Sequence, residues 1–270
     1  MKLGYIDYLN CYPFYYHQFE KEKLDGVEIV PAYPSDLNHM MTEGKLDLSP
    51  ISAATYAGLE GKIRLLPDFC LSSIGYVGSV ILRSKIPIEE LDGRSVGITR
   101  ASHTSAVLLR ILMEDCYNIR PDYRETLPSP DPNGLDAALL IGNEAMTASR
   151  KPVSYSYDLG ELWLRKTGFP VVFAVFAVRE EALAEKMEQI RAVVRSYRTS
   201  LQCLANHPDQ VIAGARARYP DIIYDIGHYY SLLRFDFSAE LKKALEYYLG
   251  RAAELGFLQK IEGVRYLEME

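Results

Sequence analysis

The chain is predicted to be an α/β protein with two lobes, and three observations carry the prediction. Short apolar strands alternate with helices in a βαβαβα order from residue 3 to residue 59. A second strand–helix series occupies 95–141. A long apolar run at 171–178 follows and leads into a helical C-terminal part. Alternation of this kind builds mostly parallel sheets, flanked by helices and joined by right-handed crossovers.

Residues 3–6 read as the first strand, running into the polar aromatic loop Asp7-Tyr8-Leu9-Asn10-Cys11-Tyr12. A helix over 14–23 opens at Pro13, where the missing N–H and fixed φ cost little. A strand over 27–32 is followed by a helix through Glu43, with Ser35 as its N-cap and Gly44 as its stop. Residues 46–48 form a third short strand, and Ser49-Pro50-Ile51-Ser52 turns into a helix over 53–59. Residues 76–83 read as one long buried strand. Strand 95–99 precedes Ser102-His103-Thr104-Ser105, which caps an apolar helix over 106–116. The three prolines of 127–134 make a loop, and strand 137–141 ends at Gly142-Asn143. Strand 170–178 precedes helices over 181–205, 208–219 and 239–255. This order predicts a discontinuous lobe, 1–82 plus 175–270, holding an inserted lobe, 83–174, with a ligand cleft between them. One continuous doubly wound sheet is the competing arrangement.

With 270 residues, 48% of them apolar, the chain can bury a core in each of two lobes. Its charge of −6 is interspersed, with no basic patch for nucleic acid. Cys11, Cys70, Cys116 and Cys203 form no CxxC pair or disulfide pattern and read as packed thiols. The N-terminus lacks a signal-peptide pattern and no run reaches the ~18 apolar residues of a membrane span, which predicts a cytoplasmic protein. There is no HxH, HExxH, GxSxG or glycine-rich phosphate loop, so neither a metal nor a cofactor is expected.

What remains is a set of small polar residues at successive strand ends: Tyr8 and Asn10; Ser49 and Ser52; Thr104 and Ser105; and Asn143. Hydroxyls and free N–H groups at helix starts form anion sites; any one such Ser or Thr reads first as an ordinary N-cap, and the case rests on their recurrence at successive strand ends. Ser79 follows Gly78 where a ligand could approach the backbone. His103, at a helix start, is either a base kept neutral by the dipole or a solvent-facing residue. Cys11 is either a thiol activated by its helix or a packing residue. Trp163 is either core or a wall over the ligand.

Gly4-x-x-x-Tyr8-Leu9-Asn10, the run from Gly44 through Leu46-Asp47-Leu48 to Ser52, and Gly78-Ser79-Val80 together resemble the menaquinone-biosynthesis family related to periplasmic binding proteins. Ser102-x-Thr104-Ser105, Leu140-Ile141-Gly142, Tyr157-Asp158-Leu159-Gly160 and Gly168-Phe169-Pro170 continue the pattern. The Tyr-Leu-Asn motif is similar to the chorismate-dehydratase branch. The Ser-Pro-Cys-Pro-Asn type motif of the sister branch, 1,4-dihydroxy-6-naphthoate synthase, is absent. Asn143 stands where the family usually has aspartate, and Cys11 where threonine is common.

The resemblance implies a two-lobed, type II periplasmic-binding-protein-like fold. It implies loss of water from chorismate, a small dicarboxylate, to give 3-[(1-carboxyvinyl)oxy]benzoate in the futalosine route, without a cofactor. Asn10 would then orient the ring or its leaving hydroxyl. Ser49, Ser52, Thr104 and Ser105 would hold carboxylates, and Tyr8, Ser79 and Asn143 would complete the binding site. The base would be His103 or the substrate's own enolpyruvyl carboxylate. A cytosolic carboxylate-binding or sensor protein is the alternative from another functional class.

Overall fold

The computed structural model describes residues 1–128, 134–147 and 153–268. The first part of the chain runs β1 (Lys2–Ile6), α1 (Tyr12–Glu20), β2 (Glu28–Ala32), α2 (Pro34–Thr42), β3 (Leu48–Ser52), α3 (Tyr56–Leu59) and β4 (Ile63–Ser73). The middle contains β5 (Val80–Ser84), β6 (Ser95–Thr99), α4 (His103–Ile111), β7 (Asp122–Thr126), β8 (Ala137–Ile141), α5 (Gly142–Met146), β9 (Tyr155–Asp158) and α6 (Leu159–Thr167). The chain then continues through β10 (Val171–Arg179), α7 (Glu180–Glu185), α8 (Met187–Asn206), α9 (Pro208–Arg218), α10 (Ile226–Leu232), β11 (Leu233–Asp236) and α11 (Ala239–Glu254).

Two sheets result, in the orders β11-β4-β10-β3-β1-β2 and β7-β6-β8-β5-β9. The βαβ units give the expected parallel pairs, β1 with β2 and β3, and β6 with β7 and β8. In the first sheet β10 is antiparallel to β3 and β4; in the second, β5 is antiparallel to β8 and β9. Most strands in each sheet therefore share one direction, and a strand beside each crossing between sheets runs against it. The exchange falls in 74–79 and 159–170, not after Leu82 and before Val175 as expected from sequence. Val80–Ser84 pairs wholly within the second sheet and Val171–Arg179 wholly within the first.

Several elements depart from the sequence reading. Ser49-Pro50-Ile51-Ser52 is strand rather than turn, because its pairing to β10 runs from Leu48 to Ser52. β4 was not anticipated, since Arg64, Pro67 and Asp68 interrupt its apolar pattern. Its ladder with β10 is irregular between Val175 and Ala177, and an irregularity of that kind lets a proline sit in a strand. Tyr33, not Ser35, occupies the N-cap of α2. Part of the expected loop at 127–134 lies outside the described residues.

The core of the first sheet is aromatic. Phe14 of α1 packs at 4.5 Å on Phe176 of β10 and at 5.5 Å on Tyr197 of α8. Buried phenols need partners. Tyr15 donates to the Gly4 carbonyl at 2.5 Å, and Tyr197 donates to Tyr15 at 2.6 Å. These bonds lock α1 to β1 and hence set the direction of the loop between them. Gly4 is required there, because any Cβ would collide with Ser49 of the neighbouring strand.

Candidate functional site

The ends of both sheets meet over one narrow cavity of ≈ 50 Å³, room for a few waters. Its polar lining comes from the loop after β1 (Tyr8, Asn10), the end of β3 (Ser52), the crossing segment (Ser79) and the start of α4 (Ser102, Ser105). Phe173 and Ala174 of β10 supply part of the apolar wall, with Ala174 directly opposite Ser52 in the ladder. No charged side chain lines the cavity among the described residues.

The serines share a hydrogen-bond logic. Ser52 Oγ accepts from Asn38 Nδ2 at 3.0 Å, while the Ser52 N–H is consumed by Asn38 Oδ1 at 2.9 Å. Ser79 Oγ accepts from the Tyr229 hydroxyl at 2.8 Å. Ser105 Oγ accepts from Ser102 Oγ at 3.1 Å, and Ser102 in turn caps the Ser105 N–H at 3.2 Å. Each of Ser52, Ser79 and Ser105 thus receives a bond from a partly or fully buried neighbour and keeps its own O–H to donate. Asn10 supplies the opposite polarity: its Oδ1 is buried with no partner. Donors without cations, beside one free acceptor, suit a carboxylate-bearing ligand that also carries a hydroxyl.

Supporting contacts fix the crossing segment. Asp158, which N-caps α6, accepts the N–H groups of Val77 (3.1 Å), Gly78 (2.7 Å) and Glu161 (3.0 Å). Burial raises the pKa of this carboxyl, and those backbone N–H groups oppose the rise. Gly78 has φ +75°, a left-handed value that glycine adopts without cost, and the chain turns there to present Ser79.

The two sheets also touch beside the cavity. Gly142, at φ +55°, has the Tyr8 ring so close that a Cβ would lie 2.6 Å from it. Tyr8 donates to Glu144 Oε1 at 3.2 Å, and the Leu9 N–H donates to Asn143 Oδ1 at 2.9 Å. Burial raises the Glu144 pKa, and its Oε2 is buried without a partner.

Of the residues singled out from sequence, Tyr8, Asn10, Ser52, Ser79 and Ser105 come together at the cavity. Asn143 stands beside it as a bridge to the Leu9 backbone. Ser49 lies outside the lining; wholly buried, it packs on Gly4 and donates to the Pro50 carbonyl at 2.8 Å. Thr104 is also wholly buried, and its hydroxyl is occupied: it donates to the Phe173 carbonyl at 2.8 Å and accepts the Ala54 N–H at 3.2 Å. His103 faces a separate outer groove with Arg110 and Tyr123, its Nδ1 3.2 Å from Thr55 Oγ1. Cys11 is fully buried, and desolvation pushes its thiol pKa up, so of the two readings it is the packing residue. Trp163 is core, packed on Tyr247 and Tyr248.

The sequence reading missed Asn38, Tyr229 and Glu144, and left Ser102 as a cap only. Asp225 caps α10 by accepting the His228 N–H at 3.0 Å, a helix-start signal that could have revealed the element carrying Tyr229. Nothing local marks Asn38 or Glu144, whose partners are distant in sequence.

Among the described residues no helix is long and apolar enough to cross a membrane, and no group of His, Cys, Asp or Glu is arranged to hold a metal. The chain is 31% identical over 215 residues to a chorismate dehydratase of Thermus thermophilus, covering 70% of this chain and 75% of that protein. It is 26% identical over 186 residues to a 1,4-dihydroxy-6-naphthoate synthase of the same organism, covering 69% and 66%. The periplasmic aliphatic sulphonate binding protein of Escherichia coli matches with a TM-score of 0.64 at 13% identity, over 100% of this chain and 94% of that one. That likeness is one of fold: a periplasmic-binding-protein-like architecture. The profile of the menaquinone biosynthesis family matches residues 1–254, and the chain belongs to that family.

Proposed function

We propose that the protein is a chorismate dehydratase, a hydro-lyase that converts chorismate to 3-[(1-carboxyvinyl)oxy]benzoate and water. The observation that carries this reading is the cavity's polarity: Ser52, Ser79 and Ser105 offer O–H groups, Asn10 Oδ1 offers an acceptor, and among the described residues no charged side chain lines it. Chorismate has two carboxylates to accept the first set and one ring hydroxyl to satisfy the second.

In the reaction the C3–H and C4–O bonds break, the C3–C4 double bond forms, and the ring becomes aromatic. With no carboxylate or imidazole on the cavity wall among the described residues, the enolpyruvyl carboxylate of the substrate takes the C3 proton and passes it to the departing hydroxide, which leaves as water. The protein's contribution is orientation and exclusion of solvent. A ring dianion is larger than the ≈ 50 Å³ cavity. It therefore binds only when the two sheets stand further apart around the cavity.

The test is incubation of the protein with chorismate, followed by absorbance and proton NMR. Loss of the diene with appearance of a 3-substituted benzoate supports the reading. Chorismate that is bound but returned unchanged would make the protein a carboxylate binder. Turnover of a cyclic futalosine derivative in its place would make it the naphthoate synthase.

A further inference from the structure

Asn10 and Ser79 reach the cavity from different segments, yet one helix, α10, reaches Ser79 and the peptide before Asn10. Tyr229 of α10 is 0% exposed, and its hydroxyl donates to Ser79 Oγ at 2.8 Å. The next residue, Tyr230, donates to the Leu9 carbonyl at 3.1 Å, so α10 also holds the peptide before Asn10. Tyr229 itself does not line the cavity.

A phenol has one hydrogen to give. Spent on Ser79, it makes Ser79 Oγ the acceptor of that bond. The bonds then run in one direction: Tyr229 O–H to Ser79, and Ser79 O–H into the cavity. The ring packs against Tyr224 and Tyr230, which a phenylalanine would do equally well. The hydroxyl is costly to bury unless its bonds are used.

We propose that Tyr229 is a positioning residue that fixes the direction of the Ser79 O–H toward the reacting ring. The inference rests on the dehydratase reading and deepens it. Its consequence is kinetic: without the phenolic O–H, Ser79 remains in place but is free to point its hydrogen elsewhere, so substrate still binds and turns over slowly.

The experiment measures chorismate turnover for wild type, Tyr229→Phe, Ser79→Ala and the double variant. Tyr229→Phe is expected to lower kcat roughly ten- to hundredfold with KM within about twofold. The double variant is expected to be no more than about threefold slower than Ser79→Ala, since Tyr229 acts mainly through Ser79. A wild-type kcat in Tyr229→Phe, or losses that multiply in the double variant, overturns the inference while leaving the dehydratase reading standing. A wild type that leaves chorismate unchanged overturns both. Should Tyr229→Phe fail to fold, 3-fluorotyrosine at position 229 keeps the size and strengthens the O–H donor. A kcat shift of about twofold or more at constant KM is then expected, and an unchanged kcat overturns the inference.

Discussion

The Asn143 carboxamide oxygen accepts the Leu9 N–H at 2.9 Å, joining the start of α5 on the second sheet to the loop after β1 on the first. Leu9 is wholly buried, and its carbonyl is held from the other side by Tyr230. Both backbone polar groups of Leu9, the residue preceding Asn10, are therefore fixed by side chains distant in sequence. The bond uses Asn143 only as an acceptor, so an aspartate at this position would serve the same purpose.

Asn143→Ala leaves that N–H without its partner, at a cost of about 1–3 kcal/mol. The expected outcome is a lower Tm and a kcat/KM reduced by about tenfold or more, while Asn143→Asp stays close to wild type. Equal losses in both variants would show that the acceptor is not what matters.

Asn10→Ala removes the unpartnered acceptor from the cavity. It should cost about 2–4 kcal/mol of transition-state stabilisation, read as a fall in kcat/KM with little change in Tm. Unchanged kinetics would make Asn10 structural.

Ser52→Ala and Ser105→Ala each delete one O–H that faces the cavity. Each should raise KM for chorismate, by about 1–2 kcal/mol in binding. Ser49→Ala should leave KM alone, because Ser49 bonds only to the Pro50 carbonyl and lies outside the lining. A KM effect from Ser49 equal to that from Ser52 would refute the assignment of donors.

His103→Ala should retain near-normal turnover, since the imidazole faces the outer groove beside Thr55. A loss of several orders of magnitude would make it the base and displace the substrate carboxylate from that role.

Glu144 gives a pH-dependent signature. Its folded-state pKa is raised by burial above the ordinary 4.5, so the folded protein binds this proton more tightly than the unfolded chain does. The group favours folding at acid pH, and that contribution is lost as pH rises through the raised value; at neutral pH the ionised carboxylate is a cost. Glu144→Gln, which keeps an acceptor for Tyr8, should raise Tm at pH 8, and the gain should shrink toward pH 4.5. A gain that does not vary with pH would rule out ionisation as its cause.

The parts legible in the sequence were those governed by neighbours along the chain. Gly44 ends α2 with φ +74°, and Ser102 caps α4 through the Ser105 N–H, as their local chemistry dictates. The aromatic loop after β1 was recognisable because a strand running into a proline-led helix has few other outcomes. What stayed hidden was set by contacts across the sheets. Thr104 and Ser52 look alike in sequence, as small hydroxyl residues at element ends. Only the approach of Ala54 and Phe173 shows that the Thr104 hydroxyl is already occupied. β4 escaped because its pattern is broken at Pro67 and Asp68, and its pairing with β10 on one side and β11 on the other holds it as a strand regardless.

The central claim is that uncharged O–H dipoles hold both carboxylates of a small diacid between the two sheets. Calorimetric titration with 3-[(1-carboxyvinyl)oxy]benzoate and with each of its two monomethyl esters tests it most directly. The account predicts measurable binding of the diacid and at least about tenfold weaker binding of either ester, one lost charge-assisted bond being worth about 1.5–3 kcal/mol. Equal affinity for the diacid and the esters would contradict it.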